Sequence, residues 1–526
     1  MTTSITIIEE HQDAIALRSV RAIDDEISAS LFARQSDGAP AVQPKPPTLH
    51  PVILTAQLAG VNLLSSIING NITVGLPRIA ADLKLPEELF FWPVSVYGLA
   101  VASTLLLAGS VADILGTRAV DLSGCFALAA SILGSGFART GVQFIVLRVI
   151  QGVAMSLHLS SSVAIVAGNL PQGRSRNVAF SCIGLSQPLG FSLGLVTGGI
   201  LVDTIGWRAG WFIDGGAMLL LFVVGLRVLP KNRWHAQGIM TQLATKVDWV
   251  GAGIASAFLA CLSYLLAILS TDVDRIRDTE TIVLLSVATA ALPAFLTWVH
   301  YRVKAGKTAL MPNKIWKNMA FSTVCLAILI SFGVLNSMEQ YSSLFFQEVQ
   351  QLSALQASIR ILPGLIVGVA LNFSTGLIVD KVSAAWLVVV SSVLCAIAPL
   401  LMALVQPQWP YWYNAFFAQI LTPLSGDVLF TIGLIVVSNV FPEDTQSLAG
   451  AVFNTAAQFG SSLGLTVMQV VSALTAKGQP GAPGSPEKLM AGYRASFWTM
   501  FALMLSCAFV STFGLRRAGK VGAKQD

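Results

Sequence analysis

The chain has 526 residues, of which 54% are hydrophobic and 11% charged, and its mean hydropathy is +0.71. A soluble protein carries roughly a quarter charged residues, so these proportions exclude one and imply repeated membrane spans. The net charge of +5 is too diffuse for a nucleic-acid surface, and the six cysteines, each in a different hydrophobic run, read as small apolar filler, not as a disulfide framework or zinc site.

Residues 1–50 are polar and close on Pro44, Pro46 and Pro47, which predicts a disordered tail. No basic cleavable leader opens the chain, so the first hydrophobic run is expected to act as its own signal. Apolar runs follow at 51–76, 92–112, 119–138, 142–167, 178–201, 211–229, 249–269, 281–303, 321–346, 358–378, 386–405, 413–437, 447–474 and 495–515. Each is near or above the roughly 20 residues that cross ~30 Å of hydrocarbon, which gives fourteen spans. The loops and tail on one side carry sixteen Lys and Arg residues, against ten on the other. That excess predicts both termini in the cytoplasm. The stretch 478–486, GQPGAPGSP, reads as a flexible linker.

The fifth run places Ser186, Gly190, Gly194 and Gly198 every four residues, one stripe of small residues along a helix. In a bilayer such a stripe admits another helix to backbone contact. Its hexamer GFSLGL returns as GSSLGL around Gly460 and Gly464, 270 residues on. The second run closes on Gly109 and Asp113, and the tenth on Gly376 and Asp380, 267 residues on. Both pairs shift by eight spans, so the chain divides into six helices, two extra helices and a second six. The expected boundaries are a cytoplasmic tail 1–50, a first bundle 51–230, a linker with two helices 231–304, a second bundle 305–515 and a cytoplasmic tail 516–526.

With these motifs assembled, the sequence resembles the major facilitator superfamily, in particular its fourteen-helix drug:proton antiporter family as found in fungi. The resemblance covers about 51–515. After the second span, GSVADILGTR retains Gly109, Asp113, Gly116 and Arg118, with Ile114 and Thr117 where basic residues are usual. The fourth span retains Arg148, Gln151 and Gly152 of an R-x-x-Q-G pattern, and the fifth retains Gly190, Gly194, Gly198 and Gly199, with Leu195 where proline is usual. The resemblance implies an all-α polytopic membrane protein with the 6 + 2 + 6 arrangement, working by alternating access. It also implies that the motif positions Gly109, Asp113, Gly116, Arg118, Gly190, Gly194, Gly198 and Gly199 serve conformational change, and the internal repeat extends that expectation to Gly376, Asp380, Gly460 and Gly464. One departure is central: the acid usual in the first span, often tied to proton coupling, is replaced by Ile68.

Polar residues inside apolar spans mark the candidate pathway. Asn62, Ser66, Asn69 and Thr73 form one stripe of the first span. Arg148, Gln151 and His158 share a face of the fourth, Asn336, Glu339 and Gln340 stand in the ninth, and Asn454 and Gln458 in the thirteenth. Stripes that face lipid are costly, so these are expected to look into the bundle, where interhelical hydrogen bonding and substrate contact are equally open roles. Arg148, Glu339 and Asp427 are read as the three formal charges well inside spans, while Asp203, Asp214 and Asp248 are assigned to solvated or capping positions at span ends. Asp427 is the first choice for proton coupling, with Arg148 expected beside it.

The sequence shows no Walker loop, metal-ligand cluster or nucleophile triad, so no ATP-driven pump and no enzyme is expected. The expected function is proton-coupled export of a small organic compound, drug, toxin or secondary metabolite, with the proton gradient as energy source and no cofactor. Uncoupled movement of a nutrient or ion, and a membrane sensor that no longer transports, are the rival readings. The expected setting is the cell membrane or the vacuolar membrane. The expected partners are the lipid bilayer and a small-molecule substrate, with no nucleic acid, in a functional monomer.

Overall fold

Among the described residues, fourteen apolar helices form where the hydropathy places them, most running beyond the apolar stretch at one or both ends. Hydrophobicity marks the part that lipid surrounds, whereas helix propagation continues until a proline, a glycine or a cap stops it. The structure, a computed structural model, describes residues 51–86, 89–170, 174–230, 241, 243, 247–271, 275, 277–306, 315–378, 382–441, 443–479 and 485–516. The expected tail 1–50, Asp380 and residues 517–526 lie outside these, as do the side chain of Asp113 and the surroundings of Gly376.

The helices are α1 (Pro51–Asp82), α2 (Trp92–Leu115), α3 (Thr117–Gly136), α4 (Gly141–Asn169), α5 (Arg174–Thr204), α6 (Trp207–Val228), α7 (Trp249–Thr271), α8 (Thr279–Lys304), α9 (Met319–Leu344), α10 (Ala354–Ile378), α11 (Ala384–Leu404), α12 (Ala415–Leu421 and Pro423–Val440), α13 (Glu443–Lys477) and α14 (Pro486–Gly514). Thirteen are long and apolar enough to cross a membrane, and α7 adds a shorter apolar stretch, Trp249–Leu262. A π-helical turn, Phe345–Val349, extends α9, and Pro423 interrupts α12 because it lacks the N–H that would continue the ladder.

The pairings repeat with a step of eight helices. Helix α1 packs on α5 as α9 packs on α13, α3 on α6 as α11 on α14, and α2 on α4 as α10 on α12. The glycine hexamers make the same contact in both halves. A Cβ added at Gly194 would overlap the backbone of Ile67 on α1, and one added at Gly464 would overlap the backbone of Gly333 on α9. Gly190 and Gly460 do the same one turn earlier, against the backbones at Leu63 and Leu329. Glycine is required at these positions because the helices touch backbone to backbone. In the first half, Phe144, Trp207 and Trp211 pack around Ile68 and Ile72; in the second, Phe321, Tyr341, Phe345, Phe497 and Met500 form the larger core.

Two helix pairs join the halves, α5 with α10 and α2 with α13. Gly199 of α5 lies against Ser358 and Leu355 of α10, Ser358 Oγ donates to the Leu195 carbonyl at 2.6 Å, and the Leu355 N–H donates to Asp203 Oδ2 at 3.1 Å. A third connection follows from Pro77 inside α1. Its missing N–H leaves the Thr73 carbonyl without the usual helical donor. Gln340 Nε2 and Ser343 Oγ of α9 approach that carbonyl at 3.4 Å each, and Gln347 Nε2 donates to the Val74 carbonyl at 3.1 Å. These bonds close the two halves together at the end where α1, α5 and α9 finish.

Helices α7 and α8 pair with each other, and α7 leans on α2 and α13. Asp248 caps α7 by accepting from the Gly251 N–H at 2.9 Å and also accepts from Trp298 Nε1 of α8 at 2.9 Å. The capping role expected for Asp248 therefore holds. Asp214, expected at a solvated span end, is instead buried within α6, where it accepts from Asn71 Nδ2 at 2.8 Å. The first half also buries Asp121 completely, on the second turn of α3. Counting only charges near the middle of apolar runs overlooked both, since helix packing buries positions close to a span's end as well.

Candidate functional site

The inward faces of eight helices, α1, α2, α4 and α5 from one half and α9, α10, α12 and α13 from the other, enclose a central cavity of about 190 Å³. The predicted α1 stripe lines it along its length: Asn62, Ser66, Asn69 and Thr73. So do Asn336, Glu339, Asp427, Asn454 and Gln458 from the second half. Nine of the thirteen residues singled out by polarity therefore meet at one space.

Several of the liners also hold helices together, so the two roles weighed for the stripes coexist. Asn62 Nδ2 donates to the Ile183 carbonyl at 2.9 Å and to Ser186 Oγ at 3.0 Å, tying α1 to α5. Asn336 Nδ2 donates to Ser461 Oγ at 2.9 Å, tying α9 to α13. Gly98 of α2 brings Gln458 of α13 close, because a Cβ there would lie 3.3 Å from the Gln458 carbonyl.

The charged groups lining the cavity, among the described residues, are Glu339 and Asp427, both in the second half. Asp427 faces Gly368 of α10, where an added Cβ would lie 2.6 Å from its Oδ2. Gly426 beside it accommodates Leu335 of the neighbouring helix α9.

Arg148 stands one layer behind the wall, 1% exposed. Its Nε donates to the Pro93 carbonyl at 2.9 Å, one terminal nitrogen to Gln151 Oε1 at 2.9 Å, and the other to Asn69 Oδ1 at 2.7 Å. Its guanidinium lies over the Tyr97 ring, 4.6 Å from the centroid. The expected partnership with Asp427 is therefore replaced by neutral acceptors and an aromatic face, which suit a planar donor fork. Through Asn69 and Tyr97, both liners, Arg148 fixes the shape of the wall without presenting its charge directly.

Gln151, His158 and Gln340 do not line the cavity. Gln151 Nε2 donates to Ser135 Oγ of α3 at 2.9 Å, Gln340 reaches the Thr73 carbonyl, and the His158 ring faces α3, with Nδ1 2.8 Å from Asp121 Oδ1. The inward face of α4 is thus split: Met155 looks into the cavity, Arg148 reaches α1 and α2 behind its wall, and Gln151 and His158 look toward α3. Ile68, at the position where the family resemblance expects an acid, is buried in the apolar core of the first half.

The lining also includes Tyr97, Gln187, Phe191, Phe332 and Phe430, which polarity in the sequence did not single out. An aromatic residue inside an apolar span carries no sequence mark that separates cavity from core. Gln187 carried a signal, an amide beside Pro188 in the glycine-rich fifth span. Among the motif residues, Gly116 takes φ +89°, which admits the tight turn between α2 and α3, and Arg118 donates to the Leu226 carbonyl at the end of α6 at 2.7 Å.

The sequence profile of the Major Facilitator Superfamily matches residues 58–465. MFS-type transporter 1 of Pyricularia oryzae is 39% identical over 523 residues, covering 90% of this chain and 85% of that protein. The methylenomycin A resistance protein of Bacillus subtilis is 27% identical, covering 78% of this chain and 85% of that protein. A solved bacterial homologue of the human lysosomal transporter Spinster, inward-facing and unoccupied, shares the fold at a TM-score of 0.62 and 13% identity, over 89% of this chain and 97% of that one.

Proposed function

The chain belongs to the major facilitator superfamily, and on that premise we propose that this transporter exports a small organic cation in exchange for protons. The observation that carries the reading is the pair of carboxyl groups, Glu339 and Asp427, lining a cavity between the halves with no basic side chain among its described liners. Two carboxylates on one wall repel each other, and a proton or a bound cation relieves that repulsion. The two ligands therefore compete for the same acids, and a cavity that opens alternately to each side exchanges one for the other. Aromatic faces at Tyr97, Phe191, Phe332 and Phe430 add a surface suited to an organic cation. That the Bacillus relative is named a resistance protein supports outward movement. The excess of basic residues in the loops on the side of the termini supports both ends in the cytoplasm.

Uncoupled movement of the same substrate is favoured by one feature, the apolar Ile68. Both readings are tested in vesicles holding the purified chain, with ethidium as the fluorescent cation. An imposed pH gradient is expected to drive accumulation by the unaltered chain. Asp427→Asn and Glu339→Gln are expected to abolish that accumulation while exchange without a gradient continues. Gradient-independent flux by the unaltered chain selects the uncoupled reading, and full accumulation by both variants refutes coupling at these acids.

A further inference from the structure

Behind the cavity wall, on the far side of α4, the first half contains a second polar cluster that the transport pathway does not use. Asp121 and Cys125 stand one turn apart on α3, and His158 of α4 faces them. All three are wholly buried. The His158 Nδ1 lies 2.8 Å from Asp121 Oδ1, the Cys125 thiol lies 3.7 Å from Asp121 Oδ2, and the thiol and Nδ1 are 3.9 Å apart. One ligand atom from each lies within 4.8 Å of the other two. Gln57 of α1 reaches the same place, beside the Cys125 thiol, and is 2% exposed. Both polar atoms of its amide lack a hydrogen-bond partner, and so does His158 Nε2.

We propose that Gln57, Asp121, Cys125 and His158 form a binding site for a single divalent transition-metal ion of the zinc class. Thiolate, imidazole and carboxylate are the donor set that such ions select, and three protein donors converging from two helices leave a fourth position beside the Gln57 amide, whose oxygen can turn to fill it. Charge argues for the same occupant. A divalent ion with one thiolate, one carboxylate and a neutral imidazole sums to zero, the state that an apolar interior tolerates best. The ligands must lose protons first: the thiol gives up its own, and the one shared between Nδ1 and Asp121 leaves. Tetrahedral coordination at ordinary bond lengths sets donors somewhat under 4 Å apart. The two separations involving the sulfur already meet this, and the imidazole–carboxylate pair widens on binding. Zinc here would fasten α1, α3 and α4 together at a point about 9 Å along α1 from its start, within reach of that membrane face through a small opening of the helix ends.

This site is independent of the cavity chemistry, and its test does not rely on transport. The full chain, purified in detergent with a histidine-free tag and stripped by chelator, is titrated with cobalt(II). One equivalent is expected to give tetrahedral d–d absorption in the red and a thiolate charge-transfer band in the near ultraviolet, and one equivalent of zinc is expected to abolish both. Cys125→Ser is expected to remove the charge-transfer band, His158→Gln to weaken binding more than tenfold, and Gln57→Leu to weaken it about 10- to 100-fold. Cys182→Ser, at the exposed cysteine of α5, is expected to change nothing. The unaltered chain serves as its own test should a variant fail to fold. Absence of the bands there, or a charge-transfer band that survives Cys125→Ser, overturns the site and leaves a hydrogen-bonded knot.

Discussion

The two six-helix halves share a skeleton and differ in chemistry. Helix α1 meets α5, and α9 meets α13, through the same glycine contacts against a bare backbone. Yet the first half lines the cavity with amides and hydroxyls and keeps its cation, Arg148, behind the wall, whereas the second half brings both carboxyl groups to the surface. One turn beyond the paired contacts the contrast recurs. Asn71 donates to buried Asp214 in the first half, while Ser337 in the second is buried with its hydroxyl unpartnered. The two halves share what helices need for close approach, and their polar groups differ. The proton exchange proposed above needs acids on one side of the cavity only, so the symmetry of the frame places no demand on the chemistry.

The largest effect is expected where the halves agree. Gly194→Leu and Gly464→Leu each push a branched side chain into backbone, and overpacking of this kind costs about 1–3 kcal/mol even in soluble cores. Both variants are expected to reach the membrane and to lose most flux in the vesicle assay. If one variant transports normally, the shared contact has no shared mechanical role.

A middling effect is expected where the halves diverge at the cavity wall. Arg148→Lys keeps the charge but loses the planar fork that reaches Pro93, Gln151 and Asn69 together. Flux is expected to fall about tenfold, equivalent to ~1.4 kcal/mol, with the pH dependence of accumulation retained. Loss of that pH dependence would place Arg148 in coupling and blur the division between the halves.

The smallest effect is expected away from the cavity. Asp214→Leu leaves the Asn71 N–H without its acceptor, a loss of about 1–3 kcal/mol. A lower thermal unfolding midpoint in detergent with nearly normal flux is the expected result. Flux lost without any change in midpoint would make Asp214 part of the pathway and give the first half an acid of its own.

How far the sequence could be read follows the same physical lines. Spans are written in hydropathy, so all fourteen helices were legible, and the repeat was visible because glycine contacts tolerate no substitute at Gly194 or Gly464. Polarity inside lipid marked Asn62, Asn69, Glu339 and Asp427 as cavity residues. Direction around a helix was not legible to better than a sector, which is why His158 and Gln151 turned out to face α3 while Met155 faces the cavity. Burial near a span's end was invisible too. Asp121 lies only four residues into α3, and the side chain that meets it, His158, comes from α4, whose placement no local pattern encodes.

Pro77 gives the closed end of the bundle a property beyond adhesion. In the closed state the carbonyls of Thr73 and Val74 are met by Gln340, Ser343 and Gln347 from across the divide. Once the halves part there, α1 has no donor of its own to offer the Thr73 carbonyl, and lipid has none at all. Only water can take the place of the lost partners. Opening at that end is therefore expected to be a hydration step that ties the conformational equilibrium to the activity of water, so that solutes which withdraw water from narrow spaces are expected to favour the closed form and slow flux.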